Sequence, residues 1–402
     1  MTVTELRLRG ILDSRAEVTL EAELTLDGAF TARGSCPRAI APGRRERPIG
    51  GSAALGALPD QAEQLLALVG GPGIDGQAGL DAALAAHTDA IGVSATLAVS
   101  VAYARAAAAA QDTHLWRYLA DLAGSSPALP ALLVNVFSGG IHSSGPPDGY
   151  QQVMVIPRTG SLVGDIDAAC RVWSAAYALA AARFGEPRLS ASSGISVPVD
   201  SAAQLDLLDQ AIERCGLAGS VSVGVDVAAE HLYADGAYRL AGRTLTPADL
   251  AEVLTAQTRR YGLTYIEDPF DPADEEAWRS LRAALPAAAR VIGDDLFASD
   301  AERIDPGLAD GVLLKPSQIG TVSGLVRAAA RARRAGMAIA VSHRSGETDD
   351  TVICDVAAAL GADLIKVGGP RRGDRLAKYN QLLRLAEHVP AASPTALLGD
   401  HR

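Results

Sequence analysis

Apolar and polar residues alternate in the first part of the chain. Residues 18–34, VTLEAELTLDGAFTARG, carry an apolar or small side chain at every second position. This period of two predicts two antiparallel strands, with the turn at Asp27-Gly28. Helical periodicity follows through much of 60–122, and GSSPALP at 124–130 is typical of a linker. We therefore predict an N-terminal α+β domain over residues 1–125 and a second domain over 126–402.

The second part of the chain has a different pattern, in which short apolar runs alternate with alanine-rich amphipathic segments. The runs occupy residues 131–137, 153–156, 221–227, 263–268, 290–295, 311–315, 337–343 and 363–369. Strands that alternate with helices at this spacing predict βα units and a parallel sheet. Eight units in one domain fit a closed α/β barrel better than an open sheet.

Composition narrows the class of protein. The net charge of −11 argues against nucleic acid as a partner, because phosphate binding needs a basic surface. The apolar stretch 91–110 is mostly alanine and is interrupted by Arg105, which favours a buried helix over a membrane span. The first ten residues lack the apolar core of a secretory signal. The four cysteines are far apart in the sequence, which predicts unpaired thiols and a cytoplasmic protein without a membrane partner.

Six of the residues at or near the ends of the later apolar runs can take part in chemistry. They are Asp226, Glu267, Asp294, Lys315, His343 and Lys366. The ends of barrel strands converge on one face, where catalytic groups of such barrels lie. Three carboxylates from consecutive strands suit Mg²⁺, which prefers oxygen ligands. Acidic residues also cap the helices that follow strands, but six positions in register favour a site.

Lysine is rare in this chain. It occurs only at Lys315, Lys366 and Lys378, whereas the other 33 basic residues are arginine. Arginine stays protonated, but the pKa of lysine can be adjusted so that the amine accepts a proton. The three lysines could also be structural ion-pair partners. Because two of them end predicted strands, we predict catalytic roles for those two.

Several motifs make the chain similar to the enolase family over nearly its whole length. They are ILDSR (11–15), NVFSGGIH (135–142), VGVDVAA (223–229), IEDPFD (266–271), GDDL (293–296), LLKPSQIG (313–320), VSHRSGETDDT (341–351) and RLAKYNQLLR (375–384). The resemblance implies a Mg²⁺-dependent lyase with an eight-stranded α/β barrel and a smaller N-terminal α+β capping domain. It also implies a homodimer, with Arg15 at the contact between subunits.

The resemblance assigns roles to individual residues. It implies that Asp226, Glu267 and Asp294 bind Mg²⁺, while Lys315 removes the proton α to the substrate carboxylate and Lys366 stabilises the resulting enediolate. Phosphate contacts are implied for Arg344 and Ser345, and active-site positions for His142 and His343. We expect a lysine base among cations and Mg²⁺ to have a depressed pKa.

Three positions depart from the family pattern. Ser193, in ASSGI, stands where the family has the glutamate that helps hydroxide leave, and a serine hydroxyl is too weak an acid for this work. Gln152 aligns with a second family glutamate, and an amide has no titratable proton. We expect both Ser193 and Gln152 to contact the substrate. Arg38 aligns with a loop serine that binds a second Mg²⁺. With Arg44 and Arg45, it could instead supply positive charge to an anionic substrate.

These departures leave three interpretations open. The first is an enzyme that forms an enediolate from a phosphorylated or phosphonylated carboxylic acid. It would then process the enediolate differently, as carboxyphosphonoenolpyruvate synthases do in phosphonate pathways. The second is an ordinary phosphopyruvate hydratase that converts 2-phosphoglycerate to phosphoenolpyruvate, with another acid such as His142. The third is a non-catalytic binding protein, against which the retained lysines and carboxylates count.

Overall fold

The N-terminal part of the chain combines a three-stranded sheet with helices. The computed structural model describes residues 1–39, 56–71, 73–142 and 147–391. The strands are β1 (Val3–Leu12), β2 (Val18–Leu26) and β3 (Phe30–Ser35), all antiparallel in the order 1-2-3. The helices are α1 (Leu58–Val69), α2 (Gly76–Ala86), α3 (Thr88–Ile91), α4 (Val93–Ala110) and α5 (Leu115–Ala123). The predicted hairpin is confirmed: Asp27 and Gly28 have φ angles of +50° and +68° in its turn.

Two predictions about buried residues are confirmed. Helix α4 is long and apolar enough to cross a membrane, yet 78% of it is buried inside the protein, where it packs on β2 and β3. Gly34 permits this packing, because a Cβ at that position would lie 2.4 Å from the carbonyl oxygen of Ala98. The four cysteines are unpaired, and Cys36 and Cys354 are buried.

Eight strands form the closed barrel of the second part. They are β4 (Ala131–Ser138), β5 (Gln152–Pro157), β8 (Val221–Asp226), β12 (Leu263–Glu267), β13 (Arg290–Gly293), β14 (Gly311–Leu314), β15 (Ala338–Ser342) and β16 (Leu364–Lys366). Each pairs with the next, and β16 pairs with β4 to close the ring. A separate apolar cluster that includes Leu133, Met154, Tyr265 and Leu313 comes from these strands. The predicted eight-stranded barrel is confirmed.

The barrel is mixed rather than wholly parallel, which corrects the sequence prediction. Strand β5 runs antiparallel to both of its neighbours, β4 and β8. A parallel neighbour would need a long crossover connection. The link between β4 and β5 contains only a short 3₁₀ turn, Gly140–His142, in its described residues, so the chain folds back as a hairpin.

Helices and short strands complete the second part. The helices are α6 (Leu162–Phe184), α7 (Ser201–Arg214), α8 (Pro247–Tyr261), α9 (Glu275–Ala284), α10 (Pro316–Ile319), α11 (Val322–Arg334), α12 (Val352–Ala359) and α13 (Gly373–Leu385). The short strands are β6 (Arg188–Leu189), β7 (Ile195–Ser196), β9 (Tyr233–Ala234), β10 (Ala237–Leu240) and β11 (Arg243–Leu245). Local sequence sets many of these boundaries. For example, Thr246 and Asp249 form a capping box at the start of α8, and Gly262 ends that helix in a left-handed conformation.

Candidate active site

A cleft of about 1190 Å³ opens where the carboxyl ends of the parallel barrel strands meet. Its wall includes Asp294 after β13, Lys315 after β14, His343 after β15 and Lys366 at the end of β16. Gln152 reaches the same wall from the start of β5, because this strand runs in the opposite direction. The strand ends therefore converge as the sequence pattern predicts.

The three predicted carboxylates lie at the ends of adjacent strands. Asp226 at the end of β8 pairs directly with Glu267 at the end of β12, and Asp294 follows the next strand, β13. All three are buried. Burial raises the pKa of Glu267, and the charge of Asp226 raises it further. So much buried negative charge requires positive partners close by.

Lys366 supplies one of these positive charges. Its Nζ lies 2.9 Å from Asp226 Oδ2 and 2.7 Å from Glu267 Oε1. Burial alone would lower the pKa of Lys366, but Asp226 and Glu267 raise it above its usual value. Tyr265 adds a hydrogen bond of 2.7 Å from its hydroxyl to Glu267 Oε2. The ammonium group is therefore fixed in the charged form between two carboxylates.

Lys315 pairs with the third carboxylate. Its Nζ lies 2.5 Å from Asp294 Oδ2, and Ser299 Oγ accepts a hydrogen bond of 2.9 Å from its backbone nitrogen. Burial and Arg344 lower the pKa of Lys315, but Asp294 and Asp295 outweigh them and raise it. The charged group nearest to Lys315 is therefore a carboxylate, and the depressed pKa that we expect of this lysine beside Mg²⁺ stays a prediction.

The donor set suits a divalent cation. Asp226, Glu267 and Asp294 offer only carboxylate oxygens, which Mg²⁺ prefers. Asp294 Oδ1 is buried and has no hydrogen-bond partner within the described ranges. An oxygen in this condition has its full capacity to bind a cation. The residues present therefore fit the Mg²⁺ that the sequence predicts.

Two further aspartates, which are not among the predicted ligands, lie beside Asp294. Carboxylate oxygens of Asp268, Asp294 and Asp295 all lie within 4.8 Å of one another. Asp268 accepts hydrogen bonds of 2.9 and 2.8 Å from the backbone nitrogens of Asp294 and Asp295, so it supports the loop after β13. Both residues directly follow predicted ligands, in IEDPFD and GDDL, and that adjacency could have identified them.

The loop after β15 brings three predicted residues to the cleft. His343, Arg344 and Ser345 all lie in its wall. Glu347 Oε1 accepts a hydrogen bond of 2.9 Å from the backbone nitrogen of Arg344, and Lys378 Nζ lies 2.8 Å from Glu347 Oε2. Burial lowers the pKa of His343 well below its usual value, and nearby cations lower it further. The loop thus presents a neutral imidazole beside a guanidinium group.

Two of the positions that depart from the family pattern differ in where they point. Ser193 is buried outside the cleft wall, and its Oγ donates a hydrogen bond of 3.0 Å to the carbonyl oxygen of Arg371. The predicted contact of Ser193 with the substrate stays a prediction. Gln152 lies in the wall, and its buried Oε1 has no hydrogen-bond partner among the residues described.

The remaining predicted residues lie elsewhere or outside the description. The Nη1 of Arg38 donates a hydrogen bond of 2.9 Å to the carbonyl oxygen of Val18 and lies 3.4 Å from Glu17 Oε2. These contacts hold the Arg38 side chain against the N-terminal sheet, and its predicted role in substrate binding stays a prediction. The side chain of His142 lies outside the description, as do Arg44 and Arg45.

Fold and site together define a barrel enzyme with a carboxylate- and lysine-rich centre. The family model described as "Enolase, C-terminal TIM barrel domain" matches residues 126–397, and "Enolase, N-terminal domain" matches residues 3–119. The chain therefore belongs to the enolase family and is a lyase of that family.

Similar proteins agree over nearly the full length of the chain. Enolase of Acidothermus cellulolyticus is 34% identical over 408 residues, which cover 96% of this chain and 94% of that protein. Enolase of Rubrobacter xylanophilus is 33% identical, and the match covers 99% of this chain and 97% of that protein. Enolase of Solanum lycopersicum is 32% identical, with 96% of each covered. At such identities this chain is a divergent member of the family.

Proposed function

We propose that the protein is a Mg²⁺-dependent enolase that removes the proton α to the carboxylate of 2-phosphoglycerate or a very similar phospho-carboxylate. One observation carries the proposal. Lys315 and Lys366 both line one cleft, beside the loop of His343, Arg344 and Ser345. Their ammonium groups pair with the predicted Mg²⁺ ligands, of which Asp294 also lines the cleft. The names of the three relatives favour this substrate over a phosphonate.

The two lysines take different roles in this proposal. The side chain of Lys315 is 15% exposed and lies in the cleft wall, so it has the access that a proton acceptor needs. Lys366 is 3% exposed and held by two carboxylates, which suits a fixed positive charge. We assign Lys315 as the base and Lys366 as the group that stabilises negative charge on the substrate carboxylate.

Positive charge is the main requirement of the reaction. A proton next to a carboxylate is very weakly acidic, because its removal adds negative charge to an existing anion. When bound by Asp226, Glu267 and Asp294, Mg²⁺ supplies charge that stabilises this anion. We assign Arg344 and Ser345 to the phosphate, for which a guanidinium is a geometrically suitable partner.

Dehydration completes the reaction. The electron pair from the broken C–H bond returns from the carboxylate to form the C2–C3 double bond. Hydroxide leaves C3 and takes up a proton to become water. Neither Ser193 nor Gln152 is a suitable acid for this transfer, so another group must donate the proton. We propose His142 as the first residue to test.

A second candidate follows from the geometry of Ser193. Because its hydroxyl is committed to Arg371 outside the cleft, the site retains groups for proton abstraction but lacks the acid of the family at this position. We therefore also consider an enzyme that forms the enediolate of a phosphono-carboxylate and processes it differently, as a carboxyphosphonoenolpyruvate synthase does. Such an enzyme would belong to a phosphonate pathway.

One experiment separates the two candidates. The purified protein is incubated in D₂O with Mg²⁺ and 2-phosphoglycerate, and NMR follows both deuterium incorporation at C2 and formation of phosphoenolpyruvate. An enolase gives both. Exchange without phosphoenolpyruvate favours the second candidate. If neither is observed with 2-phosphoglycerate or with a phosphono analogue, the proposed proton abstraction is wrong.

Removal of the base provides the first specific prediction. Lys315→Ala should lower the rate of C2 exchange by about 10²–10⁴-fold, the usual contribution of a general base. Arg117→Gln removes an exposed charge on α5 and serves as the control. Equal exchange rates for Lys315→Ala and wild type would contradict the assignment of the base.

Removal of a ligand provides the second prediction. Asp294→Asn should weaken Mg²⁺ binding by at least about tenfold, because it replaces a carboxylate with a neutral amide. Isothermal titration calorimetry with MgCl₂ measures this directly. Asp300→Asn, which changes a half-buried carboxylate elsewhere in the cleft wall, is the matched control. Unchanged affinity in Asp294→Asn would exclude Asp294 as a ligand.

We further propose that the enzyme works in the cytoplasm as a homodimer. The resemblance places Arg15 at the contact between subunits, and in this structure Arg15 pairs with Glu17. Light scattering on the purified protein tests the oligomeric state.

A further inference from the structure

A fully buried arginine lies directly behind the cleft. Arg375, in the first turn of α13, is 0% exposed. Its Nη1 contacts Nδ1 of His343 and donates a hydrogen bond of 2.9 Å to the carbonyl oxygen of Arg344. Its Nη2 donates to the carbonyl oxygens of Ser345, at 2.9 Å, and Ala191, at 3.0 Å. One guanidinium group thus contacts three consecutive residues of the cleft wall.

The chemistry of this contact determines the state of the histidine. A guanidinium stays protonated and has only N–H donors. The Nδ1 atom of His343 must therefore accept, and the proton of the neutral ring must lie on Nε2. A proton on Nδ1 would place two N–H groups against each other. Burial and the charge of Arg375 both lower the pKa of His343, which agrees with a neutral ring.

Close packing keeps the ring against the guanidinium. A Cβ at Gly368 would lie 3.0 Å from Cε1 of His343 and 3.2 Å from Cδ of Arg375. Gly368 has a φ of +83°, a conformation that favours glycine. The backbone therefore approaches the pair as closely as it can, and neither side chain has room to rotate away on that side.

We propose that Arg375 is a positioning residue. It fixes His343 in the tautomer that presents an Nε2–H donor to the cleft, and it aligns the backbone of Arg344 and Ser345 with that ring. A donor at this place suits the anionic groups of a phospho-carboxylate. This role in binding rests on the function proposed above, whereas the tautomer is a property of the protein alone.

Lys378 offers a matched control on the same helix. It is also fully buried and also supports this loop, through Glu347 at 2.8 Å and the carbonyl oxygen of Thr348 at 2.6 Å. It forms no described hydrogen bond with His343. A change at Lys378 therefore tests loop support without removing the partner of the imidazole.

The tautomer can be measured without any substrate. The full-length protein is labelled with ¹⁵N-histidine, and long-range ¹H–¹⁵N spectra report which ring nitrogen carries the proton. His343→Gln identifies the His343 signals among the seven histidines. In wild type we expect an unprotonated Nδ1 and a protonated Nε2 from about pH 5.5 to 8. A proton on Nδ1, or ordinary titration in this range, would overturn the proposal even if no variant of Arg375 folds.

Variants then test whether Arg375 acts through the histidine. Arg375→Lys should give a mixture of tautomers, whereas Lys378→Gln should keep the wild-type tautomer. With the substrate of the exchange assay, Arg375→Lys should lower kcat/KM by about tenfold or more. In the His343→Gln background, Arg375→Lys should lower kcat/KM by less than about twofold. Equal losses in both backgrounds, or a tautomer shift in Lys378→Gln, would make Arg375 a purely structural residue.

These outcomes are separate from those of the proposed function. If the protein does not exchange the C2 proton, the spectra still confirm or reject the tautomer. If exchange occurs but His343 has its proton on Nδ1, the proposed enzyme activity is retained and the proposed role of Arg375 is wrong.

Discussion

Each of the three lysines pairs with a carboxylate, but of these lysines only Lys315 and Lys366 line the cleft. Lys315 contacts Asp294 and Lys366 contacts Asp226, whereas the pair of Lys378 is buried away from the cleft wall. Pairing therefore does not distinguish a catalytic lysine from a structural one. Access does, since a base must reach the proton that it removes.

Ser193 aligns with the acid of the family in the sequence, but its side chain lies outside the cleft wall. Because its Oγ donates to the carbonyl oxygen of Arg371 outside the cleft, Ser193→Ala should not change the rate of C2 exchange. It should lower the free energy of unfolding by about 1 kcal/mol, through loss of a buried hydrogen bond. Exchange kinetics and urea unfolding measure the two effects. A loss of exchange of more than about tenfold would place Ser193 in the reaction after all.

Sequence spacing predicted which residues converge on the cleft, but not their protonation. Strand ends such as Glu267 and Lys366 meet because barrel topology requires it. The direction of a pKa shift depends on the nearest charge in space, and Asp294 is that charge for Lys315. Arg375 carried no signal of its own, because a buried arginine in a helical motif resembles any solvated one.

Among the elements, the strands were easier to predict than their directions. The apolar runs located all eight barrel strands, because each strand is buried on both faces. The antiparallel direction of β5 depends on the short link 139–151, which contains no long helix in its described residues. The short length of this connection is the feature of the sequence that indicates the antiparallel direction.

Helix α12 contains a buried carboxylate with a measurable pH effect. Asp355 is 5% exposed, and burial raises its pKa to about 6. In the unfolded chain its pKa is about 3.9, so the folded state loses stability as the pH rises from about 4 to 6, and the loss is complete above that range. Asp355→Asn should therefore be more stable than wild type at pH 7.5, by about 2–3 kcal/mol, and the difference should vanish near pH 4. Urea unfolding at several pH values measures it.

The control for this prediction is an exposed carboxylate on α7. Asp209→Asn should change stability by less than about 0.5 kcal/mol at every pH, because a surface substitution removes no buried charge. If Asp355→Asn were equally stable relative to wild type at pH 4 and pH 7.5, burial would not be raising the pKa of Asp355.

At the scale of the whole molecule, the N-terminal sheet and α4 hold the loop that follows β15. The backbone of Arg38 forms a bridge with Gly346, and Ser35 Oγ lies 2.7 Å from Thr348 Oγ1. Arg105 on α4 completes the set by binding Asp350. The same loop carries His343, Arg344 and Ser345 at its other end. The two parts of the chain therefore build the site together.

The Arg105–Asp350 pair is the strongest of these contacts. Both guanidinium nitrogens, Nη1 and Nη2, lie 2.7 Å from a carboxylate oxygen, and the backbone nitrogens of Ser35 and Val352 also donate to Asp350. Burial would raise the pKa of Asp350, but Arg105 holds it below its usual value. The stability that this carboxylate contributes is thus present above about pH 4 and is lost as the pH falls through its lowered pKa.

Breaking this pair should weaken the connection between the N-terminal part and the loop that follows β15. Asp350→Ala should lower the free energy of unfolding by about 3 kcal/mol at pH 7.5, because it leaves a largely buried guanidinium without its carboxylate. The loss should shrink in acid, where wild type also loses the charge.

Arg117→Met, which breaks the exposed pair with Asp121, should cost less than about 0.5 kcal/mol. Weaker binding of 2-phosphoglycerate in Asp350→Ala, measured by calorimetry at a pH where both proteins are folded, would link the contact to the site. Equal costs for the buried and exposed pairs would mean that the N-terminal part is held by apolar packing rather than by charge.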